Sequence, residues 1–257
     1  MDLKEKVVVV TGASTGIGRE LALKLAKLGA RVAVLARTKK LLDELSSHSQ
    51  DIFPVPADVT EPVSVKNAVR KIVAKFGRID VLVNNAGVGY WGPVETLELK
   101  DMDRLVKTNV YGVISMIQEA LPYLKASRGM IVNISSGLTK MNLPLVAPYA
   151  STKYMLNALT NAMRIELRTY GIRVVNYLPP MVRTPFYQNN IRAKGSKRTE
   201  MGERKMATPQ WTADRIIRAM RSGKREASEA GMSGIMNLLM PGFMDNIFYK
   251  TMIAGRK

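Results

Sequence analysis

Tyr149 and Lys153 stand four residues apart in Tyr149-Ala150-Ser151-Thr152-Lys153. On a helix they share one face, one turn from each other. A phenol with an ordinary pKa near ~10 exchanges protons poorly at neutral pH. An ammonium beside it favours the phenolate and draws that value toward the working range, which is what acid/base work at a carbonyl or alcohol needs. A Tyr-x-x-x-Lys pair alone is more often plain helix surface. Here Ser136, Asn109 and a glycine-rich turn from Thr11 to Gly18 accompany it. Other chemistries drop out. The chain has no cysteine, so neither thiolate chemistry nor a disulfide framework is available. His48, its one histidine, lies in the polar stretch Ser46-Ser47-His48-Ser49 and reads as solvated, so no metal site is expected.

The elements that must position these groups follow from the apolar pattern. Lys6 to Val10 carries four valines in a row and reads as a buried strand. Thr11-Gly12-Ala13-Ser14-Thr15-Gly16-Ile17-Gly18 follows at once, then a helical pattern from Arg19 to Leu28 that stops at Gly29. Strand, glycine turn and helix form the opening unit of a dinucleotide fold: glycines let the backbone approach a pyrophosphate, and the helix N-terminus supplies N–H donors. The spacing Gly-x-x-x-Gly-x-Gly differs from the Gly-x-Gly-x-x-Gly fingerprint. A second strand, Arg31 to Leu35, ends on Ala36-Arg37-Thr38-Lys39-Lys40. NAD-binding folds place a carboxylate there for the ribose hydroxyls. A guanidinium suits a 2′-phosphate instead, so NADP(H) is the expected cofactor, with Ser14 and Thr15 supplying hydroxyls to the same phosphate.

Further strands are expected at Ile52–Val55, Asp80–Val83, Met130–Asn133 and Arg173–Tyr177, and helices at Pro62–Phe76, Leu99–Glu119 and Tyr149–Tyr170. Asn109 falls mid-helix, where asparagine is a poor residue; it either caps a local bend or projects a side chain toward chemistry. Alternating strands and helices predict an α/β fold: a Rossmann-type doubly wound parallel sheet in three layers, one domain. Right-handed crossovers then align the strand ends Thr11, Ala36, Asp58, Asn84, Ser136 and Pro179 along one edge, where such folds bind ligands.

With these residues in order, the chain resembles a short-chain dehydrogenase/reductase of the classical type over about Lys6 to Thr184. The resemblance rests on the Thr11 to Gly18 turn, Asn84-Asn85-Ala86-Gly87, Asn109, Ser136, Tyr149-x-x-x-Lys153 and the Pro179 to Thr184 turn. It implies hydride transfer with NAD(P)(H) and a catalytic set of Asn109, Ser136, Tyr149 and Lys153. Tyr149 is then the general acid in carbonyl reduction and the base in alcohol oxidation. Lys153 binds the nicotinamide ribose and lowers the phenol pKa, Ser136 stabilises the substrate oxygen, and Asn109 holds a relay water. Gly12, Ser14, Thr15, Gly16, Ile17 and Gly18 would surround the pyrophosphate and adenosine end. Asp58 and Val59 would face the adenine, and Asn85, Ala86 and Gly87 the adenosine. Pro179, Val182 and Thr184 would take the nicotinamide side, although Pro179-Pro180 replaces the family's usual Pro-Gly. Homodimers or homotetramers packed through the long helices are implied as well. The alternative is a non-catalytic NADP(H)-binding or scaffold protein that keeps the fold.

The rest of the chain is less specific. Residues 1–185 form the expected core, 186–230 a substrate lid with the last helix and strand, and 231–257 a basic tail rich in methionine. The net charge is +18, and Arg183 to Lys257 holds 15 Lys/Arg against 6 Asp/Glu. No aromatic-basic motif accompanies this charge, so nucleic acid is not an expected partner. The tail carries Met232, Met236, Met240 and Met244, with Leu238, Leu239 and Phe243 between them and Ile247 and Phe248 just after. It packs on its own domain or a dimer partner, walls an apolar substrate pocket, or touches an acidic membrane surface. The N-terminus runs straight into a strand with no signal peptide pattern, and a cytoplasmic protein with an apolar ketone or alcohol substrate is the resulting expectation.

Overall fold

Parallel strands and covering helices alternate along the whole chain. The structure is a computed structural model that describes residues 2–193, 206–229 and 236–254. In chain order the elements are β1 (Val7–Thr11), α1 (Gly16–Lys27), β2 (Arg31–Ala36), α2 (Lys39–Ser46), β3 (Ile52–Pro56), α3 (Pro62–Phe76), β4 (Val81–Asn84) and β5 (Tyr90–Trp91). Then come α4 (Leu99–Val106), α5 (Gly112–Ser127), β6 (Met130–Ile134), α6 (Ala147–Glu166), β7 (Arg173–Leu178), β8 (Ile191–Arg192), α7 (Pro209–Ser222), β9 (Glu226–Ser228) and α8 (Pro241–Met252). Seven strands form one sheet in the order β3-β2-β1-β4-β6-β7-β9, every neighbouring pair parallel. This is the doubly wound Rossmann order, which reverses between β1 and β4 and opens a crevice there.

The valine runs explain the layers. Side chains alternate across a strand. Val8, Val10, Val32, Val34, Val81 and Val83 pack with Leu21 and Leu25 of α1 and Ile216 and Met220 of α7. Val7, Val9, Ala33, Leu35, Leu82 and Ile131 pack on the other face with Val65 and Ile72 of α3, Met116 and Leu124 of α5 and Leu156 of α6. Strands buried on both faces need no polar alternation, hence unbroken apolar runs.

A polar row crosses the middle of this apolar sheet. Asn84, Asn133 and Asn176 sit in register on β4, β6 and β7. Asn84 Nδ2 donates to Asn133 Oδ1 (2.9 Å), Asn133 Nδ2 to Thr160 Oγ1 (2.9 Å) and Asn176 Nδ2 to Asn157 Oδ1 (2.9 Å). Thr160 and Asn157 both belong to α6, so these bonds set the rotation and height of the helix that carries Tyr149 and Lys153. Buried directional bonds define register in a way apolar contacts alone do not.

Two features depart from the sequence reading. The expected Leu99–Glu119 helix is interrupted by a π-turn over Lys107–Tyr111, with Asn109 inside it. The segment after Asn84 and the lid segment also meet in a small parallel pair, with Tyr90 opposite Ile191 and Trp91 opposite Arg192. The expected lid, Phe186 to Met206, falls partly outside the described residues, as do Met232 and the last three residues of the tail.

Candidate active site

The loops that follow β1 and β4 are one unit. Thr11 Oγ1 accepts the N–H groups of Asn85 and Ala86, each at 3.0 Å. Asn85 Nδ2 donates back to the carbonyls of Thr11 (2.9 Å) and Gly12 (3.1 Å). Gly12 has φ +65°, and a Cβ there would lie 2.7 Å from Ala86 Cα. Only glycine meets both conditions. Gly18 sits behind this turn: a Cβ on it would approach Asn85 Nδ2 to 2.6 Å, so it serves close packing, while Gly12, Ser14, Thr15, Gly16 and Ile17 line a cleft of about 750 Å³. The N-terminus of α1 has no side-chain cap. Its first N–H groups therefore look for an acceptor at the cleft, and an anionic phosphate suits them.

One end of the cleft is formed by Arg37, Asp58 and Val59, with Ala86 and Gly87 between this end and the next. Asp58 Oδ1 accepts from Thr60 N (2.9 Å) and Thr60 Oγ1 (2.8 Å), which fixes the turn after β3. Arg37 is exposed and makes no ion pair among the described residues. Its guanidinium is free for a ligand phosphate. Arg104 and Thr108 close this end from across the cleft; the sequence reading missed them because their only signal was exposure on a polar helix face.

At the other end Ser136, Tyr149 and Lys153 line the same cleft. Ser136 stands just past β6, caps a short turn and accepts from Leu138 N at 3.2 Å. The Lys153 side chain runs inward, only 4% exposed as a residue, and its Nζ donates to the Ile134 carbonyl at 2.9 Å. That Nζ lies 5.9 Å from the Tyr149 ring centroid. Pro179, Val182 and Thr184 complete the rim. Pro179 accepts from Gly137 N (2.9 Å), so the turn containing Pro180 is tied to the one after Ser136.

Asn109 is not in the cleft wall. It is fully buried, and its amide is spent on three bonds: Oδ1 accepts from Val88 N (2.9 Å), while Nδ2 donates to Val88 O (2.9 Å) and to Thr152 Oγ1 (3.0 Å). Of the two alternatives the sequence left open, the structure shows the bend: Asn109 lies inside the π-turn, and its side chain clamps the segment after Gly87 to α6.

Burial pushes the Tyr149 phenol up, the neighbouring Tyr187 hydroxyl adds to this, and hydrogen bonding to Ser136 acts the other way. This runs opposite to the lowered phenol expected from the Tyr-x-x-x-Lys pair. The reason is shared burial, which also pushes the Lys153 ammonium down to about 8. A consequence for stability follows. Between about 8 and the ordinary 10.5, the unfolded chain holds a proton on Lys153 that the folded chain has released, so this site's contribution rises with pH across that window. Lys153→Met removes the effect. Urea midpoints measured at about pH 7 and about pH 9.5 should rise with pH in the parent relative to the variant.

The geometry is that of a dinucleotide crevice with a phenol, a hydroxyl and an amine at one end. The profile of the family described as short chain dehydrogenase matches residues 6–195. The chain belongs to the short-chain dehydrogenase family. An uncharacterized oxidoreductase of Staphylococcus epidermidis is 34% identical over 224 residues, covering 85% of this chain and 92% of that one. Human dehydrogenase/reductase SDR family member 7 is 32% identical over 229 residues, covering 85% of this chain and 67% of that one. Among solved structures, a 3-ketoacyl-(acyl-carrier-protein) reductase from Brucella melitensis complexed with NADH superposes with TM-score 0.82 at 29% identity, covering 90% of this chain and 99% of that one. An alcohol dehydrogenase from Thermococcus sibiricus complexed with 5-hydroxy-NADP gives TM-score 0.77 at 28% identity, covering 89% and 97%. This short-chain dehydrogenase is thus an oxidoreductase, the two solved structures just described hold nicotinamide coenzymes, and its glycine turn and uncapped α1 suit one.

Proposed function

We propose that this short-chain dehydrogenase is an NADP(H)-dependent reductase of an apolar carbonyl compound, or the dehydrogenase of the matching secondary alcohol. One observation carries the reading: Ser136, Tyr149 and Lys153 share a single cleft with an uncapped helix N-terminus and with Arg37, which has no ion pair among the described residues. A bound nicotinamide coenzyme supplies or accepts the hydride. The Tyr149 hydroxyl gives its proton to the carbonyl oxygen in reduction and takes it back in oxidation. Ser136 Oγ hydrogen-bonds the same oxygen as charge develops on it. Lys153 Nζ holds the ribose hydroxyls and returns a proton to Tyr149. With the Asn109 amide already committed, a relay water is held by main-chain groups of the π-turn. Phe186 and Tyr187 shield this end; the Phe186 and Tyr149 ring centroids are 5.7 Å apart. The test is consumption of NADPH with a panel of ketones and aldehydes: turnover supports the reading, and its absence across the panel favours a non-catalytic NADP(H)-binding role.

Arg37 carries the choice of coenzyme. Arg37→Asp trades an acceptor-seeking guanidinium for a carboxylate that repels a 2′-phosphate. It is expected to shift the ratio of NADPH to NADH efficiencies by roughly tenfold to hundredfold toward NADH, the worth of one charge-assisted contact. An unchanged ratio removes Arg37 from phosphate recognition.

The tail supports peripheral contact with an anionic membrane. Among the described residues no helix is long and apolar enough to cross one. Leu238, Leu239, Met240, Phe243 and Ile247 are exposed on a chain of net charge +18, the combination that adsorbs to acidic lipid. Flotation with phosphatidylserine vesicles should recover the protein, and Phe243→Asp with Leu239→Asp should abolish recovery. Tyr154, Met155 and Ile165 on the outer face of α6 are exposed as well and suit a homodimer through the long helices, readable as mass by light scattering.

A further inference from the structure

At the end of the cleft away from Tyr149, a second hollow of about 350 Å³ adjoins it. Arg37, Thr60, Arg104 and Thr108 line both spaces, while Lys100, Asp103 and Lys107 line the hollow alone. Its charge is lopsided. Lys100 pairs with Glu98 at 2.5 Å. Arg37, Arg104, Lys107 and Asp103 make no ion pair among the described residues. Three cations without an ion pair thus share a small space with one carboxylate. Like charges gathered this way repel one another, and an anion placed among them relieves the repulsion.

Two of the three cations stand on opposite walls of the cleft. Arg37 follows β2, whose last residue, Ala36, accepts from Ala57 N at 3.0 Å. Arg104 comes from α4. That helix is seated by Leu105, fully buried in the cluster of Tyr90 and Ile191. It runs on into the π-turn that Asn109 ties to Val88, and Thr108 Oγ1 donates to the Arg104 carbonyl at 3.0 Å. The backbone that carries Arg104 is therefore fixed relative to the coenzyme loop, while its side chain is exposed and free of intramolecular hydrogen bonds among the described residues. Lys107, the third cation, does not line the cleft itself.

We propose that Arg104 is a second specificity residue for the coenzyme: together with Arg37 it grips the 2′-phosphate from the opposite wall, where cleft and hollow meet. The proposal rests on the reading of this cleft as an NADP(H) site and deepens it. A phosphate monoester carries about −1.5 to −2 at pH 7, more than one guanidinium neutralises. Its oxygens can accept from two guanidinium forks at once. NADH brings only ribose hydroxyls to the same place and leaves both guanidiniums without an anion, so the site discriminates by what is left unpaired.

The test measures binding and needs no turnover. The full chain is titrated calorimetrically with 2′,5′-ADP and with 5′-AMP, which differ only in the 2′-phosphate. The parent should prefer 2′,5′-ADP. Arg104→Gln should weaken 2′,5′-ADP by about tenfold and 5′-AMP by less than about twofold, whereas Lys107→Gln should weaken either by less than about twofold. Should Arg104→Gln fail to fold, Arg104→Lys decides: it keeps the charge, loses the fork, and should still weaken 2′,5′-ADP selectively. Equal losses in Arg104→Gln and Lys107→Gln mean a diffuse positive field and overturn the pair, as do equal losses of both nucleotides. A parent that binds the two nucleotides equally overturns the NADP(H) reading and the pair with it. A preference that Arg37→Asp abolishes and Arg104→Gln leaves intact overturns the pair alone.

Discussion

Tyr149→Phe is expected to lower kcat for carbonyl reduction by about 10²- to 10⁴-fold, the usual worth of a positioned general acid, while leaving the folded state and coenzyme affinity close to the parent's. The variant keeps the ring that packs against Phe186 at 5.7 Å and removes only the hydroxyl. That hydroxyl is hydrogen-bonded to Ser136, and burial holds its proton firmly. The protonated phenol is the form that can donate, and no other hydrogen bond of the hydroxyl is seen among the described residues. The backbone of Tyr149 still accepts from Thr152 Oγ1 at 2.8 Å, a bond the substitution spares. Steady-state kinetics with NADPH, paired with thermal unfolding of both proteins, checks the separation. A loss of kcat accompanied by a large fall in melting temperature would mean a structural role for the hydroxyl.

Asn109→Ala should behave in the opposite way, losing stability as well as activity. Its amide makes three buried bonds, two to the Val88 peptide and one to Thr152. Deleting it strands the Val88 N–H and carbonyl in a place water reaches poorly, at an expected cost of about 3 kcal/mol. For a chain of this size that is a fall in melting temperature of roughly 6–12 °C. Activity should fall with it. Val88 follows Gly87 on the cleft wall, and Thr152 is the residue before Lys153, so the clamp sets the spacing between coenzyme loop and catalytic helix. Calorimetry of the variant, alongside the rate at a temperature where it remains folded, measures both. A variant as stable as its parent would mean that these three bonds contribute nothing net.

Most of the fold could be read from runs of Val, Ile and Leu bounded by glycines and prolines. Pro62 and Gly77 mark the ends of α3 within the residues expected, and six of the seven strands of the main sheet, all but β9, lie within a residue of their apolar runs. Local signals of that kind suffice where the local residue decides the backbone. They fail where a distant partner decides it. The π-turn at Asn109 exists because its amide reaches Val88 and Thr152, both far away in sequence, and nothing in Lys107-Thr108-Asn109 announces it. The β5–β8 pair has two residues on each strand, too few for any alternation to show. Asn133 and Asn176, polar residues within apolar strands, stand side by side with Asn84 and become a row that orients α6.

The site divides in the same way. Ser136, Tyr149 and Lys153 were visible as residue types at set spacings, and they do line one cleft. Gly18 was read with its neighbours as a phosphate contact because spacing cannot distinguish a glycine needed by a ligand from one needed by a loop behind it. The upward push of burial on the phenol was not legible because charge pairing can be read from a sequence and depth of burial cannot.

The most direct measurement of the central claim is an ultraviolet difference titration of the Tyr149 phenol, parent minus Tyr149→Phe, with NADP⁺ bound. A cationic nicotinamide and the Lys153 ammonium beside the ring both favour the phenolate, so the account predicts one phenol that ionises below the free value near ~10 and is missing from the variant. A Tyr149 that still ionises above ~10 with the coenzyme in place contradicts its role as the group that passes the proton.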